Sequence, residues 1–107
     1  MKQISAPDLA AWLADAGREK PLLLDVREPW EFERARIEGA RLVPMREVPN
    51  RLGEIDAGRE VVAICHHGGR SMQVAVFLEK AGYKKVHNLM GGVDAWSRTV
   101  DPAVPVY

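Results

Sequence analysis

The stretch Val61-Val62-Ala63-Ile64-Cys65-His66-His67-Gly68-Gly69-Arg70-Ser71-Met72-Gln73-Val74-Ala75-Val76-Phe77-Leu78-Glu79-Lys80 decides the fold. Its first four residues are an apolar, largely β-branched run, of the kind buried on both faces of a sheet. From Ser71 to Lys80 the pattern turns helical, and Gly82 stands where such a helix closes. Cys65 therefore leaves the carboxyl end of a strand and enters a turn that opens a helix. Ligands and reacting groups gather at that edge of an open α/β sheet. Gly68 and Gly69 let the backbone turn inward, so that successive amides can form an anion-binding nest. Arg70 and the positive end of the helix add to the same potential. Such surroundings favour the thiolate, which is the nucleophilic form of cysteine.

Outward from this centre the chain alternates strands and helices. Ser5 is placed to cap a helix with Pro7 and Asp8 in its first turn, and Leu9, Trp12 and Leu13 share one face up to Gly17. Pro21–Val26 reads as a second buried strand, followed by a loop and a short helix starting near Pro29. Arg41–Val43 is a short strand that Pro44 interrupts, and a polar helical segment follows between Met45 and Leu52. Lys85–Leu89 is the last strand, with a helix from Val93 to about Ser97 and a tail over 101–107. Strands separated by helices predict an α/β domain whose central, mostly parallel sheet carries helices on both faces. Trp12, Trp30 and Trp96 are expected as core and cover residues, Met72, Val76 and Leu78 as helix packing, and His87 as a satisfied structural residue.

The 107 residues suit one domain with a real core. Fifteen Lys and Arg balance fifteen Asp and Glu, and no basic run stands out, so nothing predicts a nucleic-acid partner. No segment is long and apolar enough to span a bilayer, and Met1–Asp8 has no apolar leader core, which predicts a cytoplasmic protein with no membrane partner. Oligomeric state is left open. A single cysteine forms no internal disulfide and leaves no resolving thiol in the chain. Any group that Cys65 accepts must leave to an external acceptor.

Three segments in order resemble a single-domain rhodanese, a thiosulfate sulfurtransferase-like protein. Leu22-Leu23-Leu24-Asp25-Val26-Arg27-Glu28-Pro29-Trp30-Glu31-Phe32 resembles the family's LLDVRxxxEF segment, with Ile37-Glu38-Gly39-Ala40 where an I-x-GA turn is usual. Cys65–Ser71 resembles the active loop CxxGxRS, and Gly91-Gly92-Val93-Asp94-Ala95-Trp96 resembles GGxxAW. Arg36 departs from the family's frequent His before the I-x-GA turn, at a position outside the loop.

The resemblance implies a small three-layer rhodanese-like domain over 1–107. It also implies a cycle in which Cys65 takes sulfane sulfur from thiosulfate or a similar anionic donor. The resulting persulfide passes its sulfur to a thiophilic acceptor such as cyanide or a thiol, or to a sulfur-accepting protein, with no cofactor beyond the covalent intermediate. His66, His67, Gly68, Gly69, Arg70 and Ser71 are then expected to bind substrate. The two histidines act mainly through backbone N–H groups, Arg70 through its charge, and Ser71 also as a helix cap. Asp25 and Arg27 are expected to support the site, either by bracing the loop or as a fold-specific pair. No metal is expected, because no carboxylate or second cysteine joins the adjacent histidines in sequence.

Four residues lie between Cys65 and Arg70, one fewer than in the Cys-x5-Arg loop of cysteine phosphatases. The shorter loop suits a single sulfur atom better than a tetrahedral phosphate. A cysteine phosphatase or arsenate reductase is therefore the weaker alternative, and a sulfur-carrier module acting on a protein partner the nearer one.

Overall fold

The computed structural model describes all residues from Met1 to Tyr107. Five strands, β1 (Lys2–Ile4), β2 (Leu22–Asp25), β3 (Arg41–Leu42), β4 (Val61–Ile64) and β5 (Val86–Leu89), form one sheet in the order β1-β5-β4-β2-β3. Every neighbouring pair runs parallel, with Asp25 opposite Ile64 and Ala63 opposite Asn88. Helices α1 (Ala6–Ala14), α2 (Pro29–Arg34) and α3 (Gly69–Lys80) lie between strands, and α4 (Gly92–Thr99) follows β5.

Strand alternation splits the core into two layers. Leu24, Val61, Ala63, Cys65 and Val86 point to the face covered by Val74, Ala75 and Leu78 of α3. Leu23, Val62, Ile64 and Leu89 point to the face covered by Leu9 and Trp12 of α1 and by Val93 and Trp96 of α4. All four residues of β4 are fully buried, so each contributes on the order of 1–3 kcal/mol of apolar burial. The three-layer α/β expectation holds. No helix is long and apolar enough to cross a membrane.

Several elements differ from their sequence reading. β1 was not anticipated, because Lys2 and Gln3 are exposed on an edge strand and carry no apolar signal. The segment after Pro44 is a 3-10 helix over Met45–Asn50, since Pro49 lacks the N–H an α-helix needs. Ser5 does cap α1, its Oγ accepting from Asp8 N–H at 3.2 Å. The helix ends at Asp15 rather than Gly17, whose N–H instead bonds the Asp15 carboxylate. Trp30 is 60% exposed, unlike the buried Trp12 and Trp96, and meets the Tyr107 ring edge-on. α2 is a short surface helix that turns its buried face inward through Glu31, which leaves Trp30 outside.

Candidate active site

Cys65 sits one residue past the end of β4 and is 1% exposed. Its Sγ accepts the Gly68 N–H at 3.1 Å, a turn made possible by Gly68 at φ 106°. The direction of the neighbouring amides follows from where their carbonyls go. The Cys65 carbonyl accepts from Val93 N–H at 2.9 Å and the His66 carbonyl from Asp94 N–H at 3.1 Å, both in the first turn of α4. The Gly68 carbonyl accepts from Asn88 Nδ2 at 3.2 Å. In a planar trans peptide the C=O and the following N–H point opposite ways. The N–H groups of His66, His67 and Gly69 are therefore turned away from α4 and β5. None of them has an acceptor within the protein, and neither do those of Arg70 and Ser71 in the first turn of α3. The loop thus presents a set of unspent donors around a buried sulfur.

The turn that holds these carbonyls leaves no room for a side chain. A Cβ on Gly92, at φ 58°, would stand 2.5 Å from the His66 oxygen and closer still to the Cys65 oxygen. Gly91-Gly92 is thus the back wall of the loop, a role that its sequence motif alone does not reveal.

Ser71 does not cap α3. The cap is Gly68, and Ser71 lies inside the first turn with its hydroxyl on β5. Asn88, 2% exposed, donates through Nδ2 to Gly68 O and to Gln3 Oε1 at 2.9 Å, which leaves its Oδ1 as acceptor. Ser71 Oγ donates its one proton to that oxygen at 2.5 Å and lies 3.3 Å from Cys65 Sγ. With that proton committed, the Ser71 oxygen can accept the S–H of the resting thiol. Asn88 grips the loop at its middle, through Gly68, and at its far end, through Ser71, and sequence reading missed it as an ordinary strand residue.

Arg70 is not free. Its Nη1 and Nη2 donate to the two carboxylate oxygens of Glu31 at 2.7 and 2.9 Å. Glu31 is 4% exposed and also accepts from the Tyr107 hydroxyl at 2.8 Å. The Arg70 guanidinium, outweighing desolvation, holds the Glu31 carboxyl down to about 2, so the ion pair persists at any physiological pH. Arg27 and Asp25 are both fully buried and joined at 2.7 Å. Arg27 also donates to the Ala35 carbonyl at 2.6 Å and to the Tyr107 hydroxyl at 2.7 Å. This pair bonds no loop residue directly and reaches the loop only through Tyr107, Glu31 and Arg70, so of its two expected roles the fold-specific one is nearer the geometry.

Tyr107 also lies flat on the His66 ring, with centroids 3.9 Å apart and planes 8° from parallel. Burial of the phenol pushes its pKa up to about 12. Burial, then the neighbouring His67, lowers that of His66. The fold does bring a carboxylate to the histidine pair, contrary to expectation, since ligand atoms of His66, His67 and Asp94 all lie within 4.8 Å of one another. The two rings, however, stack at 3.8 Å with planes 33° apart. Lone pairs lie in the ring planes, and two rings stacked face to face are poorly disposed to share one ion. Asp94 is held by Arg98 at 3.1 Å. The cluster is poorly shaped for a metal.

Residues 5–99 match the family model of the rhodanese-like domain. Over 104 residues the chain is 39% identical to a protein of Allochromatium vinosum named sulfurtransferase, covering 97% of this chain and 95% of that one. It is 36% identical to a chloroplastic rhodanese-like/PpiC domain-containing protein of Arabidopsis thaliana, of which it spans only 38%. It is 41% identical over 75 residues to a Bacillus subtilis protein named for sulfur carriage, covering 70% of this chain and 40% of that one. Among solved structures, a rhodanese-like domain protein of Staphylococcus aureus superposes with a TM-score of 0.85 at 28% identity, covering 100% of this chain and 99% of that one.

Proposed function

The chain belongs to the rhodanese-like domain family, and from that premise we propose that it is a sulfurtransferase working through a persulfide on Cys65. One observation carries the reading. The only thiol of the chain is buried at the carboxyl edge of the sheet, bonded to the Gly68 N–H and flanked by five amides without acceptors. Thiolate, persulfide and an anionic donor such as thiosulfate each place negative charge at this point, and fixed N–H dipoles stabilise all of them without reorganising.

The Cys65 thiolate attacks the outer sulfur of the donor. A new S–S bond forms, the donor's bond to that sulfur breaks, and its electron pair leaves with sulfite when thiosulfate is the donor. A thiophilic acceptor, cyanide or a thiol, then attacks the outer sulfur of the persulfide and returns the thiolate. No redox cofactor enters the balance. A cytoplasmic setting suits a cysteine that must stay reduced between cycles.

The test is incubation with thiosulfate and cyanide, following thiocyanate, with intact-mass measurement of the protein. A gain of one sulfur on the parent chain and none on Cys65→Ser is the expected result. Turnover by Cys65→Ser at the parent rate would refute the nucleophile.

A second reading, delivery of sulfur to a protein partner, is favoured by the exposed indole of Trp30. It stands against Tyr107, which itself covers His66 beside the cysteine. An apolar rim at a reacting thiol suits a macromolecular acceptor better than cyanide. Turnover that rises with an acceptor protein and not with small thiols would favour it.

A further inference from the structure

The full charges packed around the Cys65 loop are paired. Arg70 faces Glu31, Arg27 faces Asp25, and Asp94 faces Arg98. One shell further out, Glu28 is bound by Arg46. Burial disfavours the charged form of the His66 ring next to the cysteine. The positive potential at the sulfur therefore comes from amide dipoles, with little net contribution from side chains. The sequence expectation that Arg70 offers its charge to the donor meets a specific obstacle. Both oxygens of a permanently ionised carboxylate occupy its Nη1 and Nη2, from a buried position fixed further by Tyr107.

A bidentate guanidinium–carboxylate pair is a small dipole, and its field falls off much faster than that of a free cation. Donors with two negative charges gain from a free cation about twice what donors with one charge gain, and they lose that advantage when the cation is neutralised. The partial exposure of the Arg70 side chain, 38% against 5% for Glu31, places the guanidinium at the open side, where an incoming donor meets it.

We propose that Glu31 sets the donor class of the site: by neutralising Arg70 it makes Cys65 select sulfane donors carrying one negative charge over dianionic ones such as thiosulfate. The inference rests on the persulfide reading above and concerns its substrate class. Glu31 acts through Arg70 and touches no reacting atom, so it is a specificity-setting residue and not a catalytic one. The chemistry is the same for both classes. With methanethiosulfonate, the thiolate takes the outer sulfur, the bond between that sulfur and the sulfonyl sulfur breaks, and methanesulfinate leaves with the electron pair. With thiosulfate the leaving group is sulfite.

The experiment compares rates of sulfur loading on Cys65, read by intact mass, for methanethiosulfonate and thiosulfate, in the parent chain and in Glu31→Gln. The glutamine removes the charge and keeps the side-chain shape, with one carbonyl oxygen left to accept from either Tyr107 or the Glu28 N–H, which bond different oxygens of Glu31. The expected result is that the ratio of the methanethiosulfonate rate to the thiosulfate rate falls about tenfold in Glu31→Gln. A fall of about threefold or more supports the proposal, and any smaller change overturns it. The parent chain gives a second measurement that needs no variant. Loading by thiosulfate should not fall as ionic strength is raised from low to physiological, because Arg70, paired by Glu31, leaves no free cation whose attraction salt could screen. A steep fall would overturn the proposal. Loading by both donors with an unchanged ratio defeats this inference alone, whereas no mass gain from either donor defeats the persulfide reading beneath it.

Discussion

Gly92 is where a single methyl group should do the most damage. In Gly92→Ala the new Cβ would lie 2.5 Å from the His66 oxygen and nearer to that of Cys65, both backbone atoms with little freedom to retreat. The left-handed backbone at φ 58° costs an alanine about 1–2 kcal/mol. Forcing a methyl into a filled space adds about 1–3 kcal/mol. Pushing the two carbonyls away breaks their bonds from Val93 and Asp94 N–H, worth about 1 kcal/mol each. The total, about 4–7 kcal/mol, is comparable with the whole stability of a domain this size, about 5–15 kcal/mol. Gly39→Ala is the control, because φ there is 85° but nothing lies within 4 Å of the new methyl. It should cost only the backbone share, about 1–2 kcal/mol. Urea unfolding of both variants separates the two contributions. Equal midpoints would show that the carbonyl anchors do not hold the loop. Should Gly92→Ala remain folded, its Cys65 should load sulfur more slowly than in the parent, since the amides of His66 and His67 lose their orientation.

Other expectations follow from the same contacts. Asp25→Ala leaves the Arg27 guanidinium buried without its carboxylate and should lower stability by about 3–5 kcal/mol in denaturant titration. A loss under 1 kcal/mol would mean that Ala35 and Tyr107 suffice. Asn88→Ala removes the amide that bonds Gly68 and Ser71, and should slow sulfur loading about tenfold while unfolding remains cooperative. Parent-like loading would remove Asn88 from the site. Glu31 is held at about 2 when folded against 4.5 as a free carboxyl, so its contribution to stability is complete above pH 4.5 and is lost as pH falls toward 2. Tyr107 behaves in the opposite sense. Its phenol is raised from 10 to about 12, so its share is intact below pH 10 and disappears as pH climbs through 12. Tyr107→Phe should abolish that alkaline arm, which a stability–pH profile of the two proteins tests directly.

What could be read in advance was whatever neighbours in sequence determine. Val61–Ile64 and Leu22–Leu24 declare buried parallel strands because both faces are apolar, and the loop's glycines and single cysteine declare a turn with chemistry in it. The Lys2-Gln3-Ile4 strand was invisible because an edge strand needs backbone partners, here His87–Leu89, more than apolar side chains. The partners of the site residues were invisible for a different reason. Glu31 meets Arg70 across 39 positions, Tyr107 meets Arg27 across 80, and Asn88 meets Ser71 across 17. No local spacing marks such meetings. The anion-binding character of the loop was legible, but the neutralisation of its arginine was not.

The manner in which the Cys65 and His66 carbonyls are tethered bears on whether this chemistry can be moved to another scaffold. The segment from Cys65 to Ser71 does not shape itself: three of its carbonyls are tied from outside, by the opening of α4 and by Asn88. Grafted alone onto a foreign strand–helix junction, the same seven residues would be a slack peptide with a cysteine of ordinary behaviour. A transplant that keeps the sulfur chemistry has to bring Asn88 and Gly91–Val93 with it, as one inseparable cassette drawn from two distant parts of the chain.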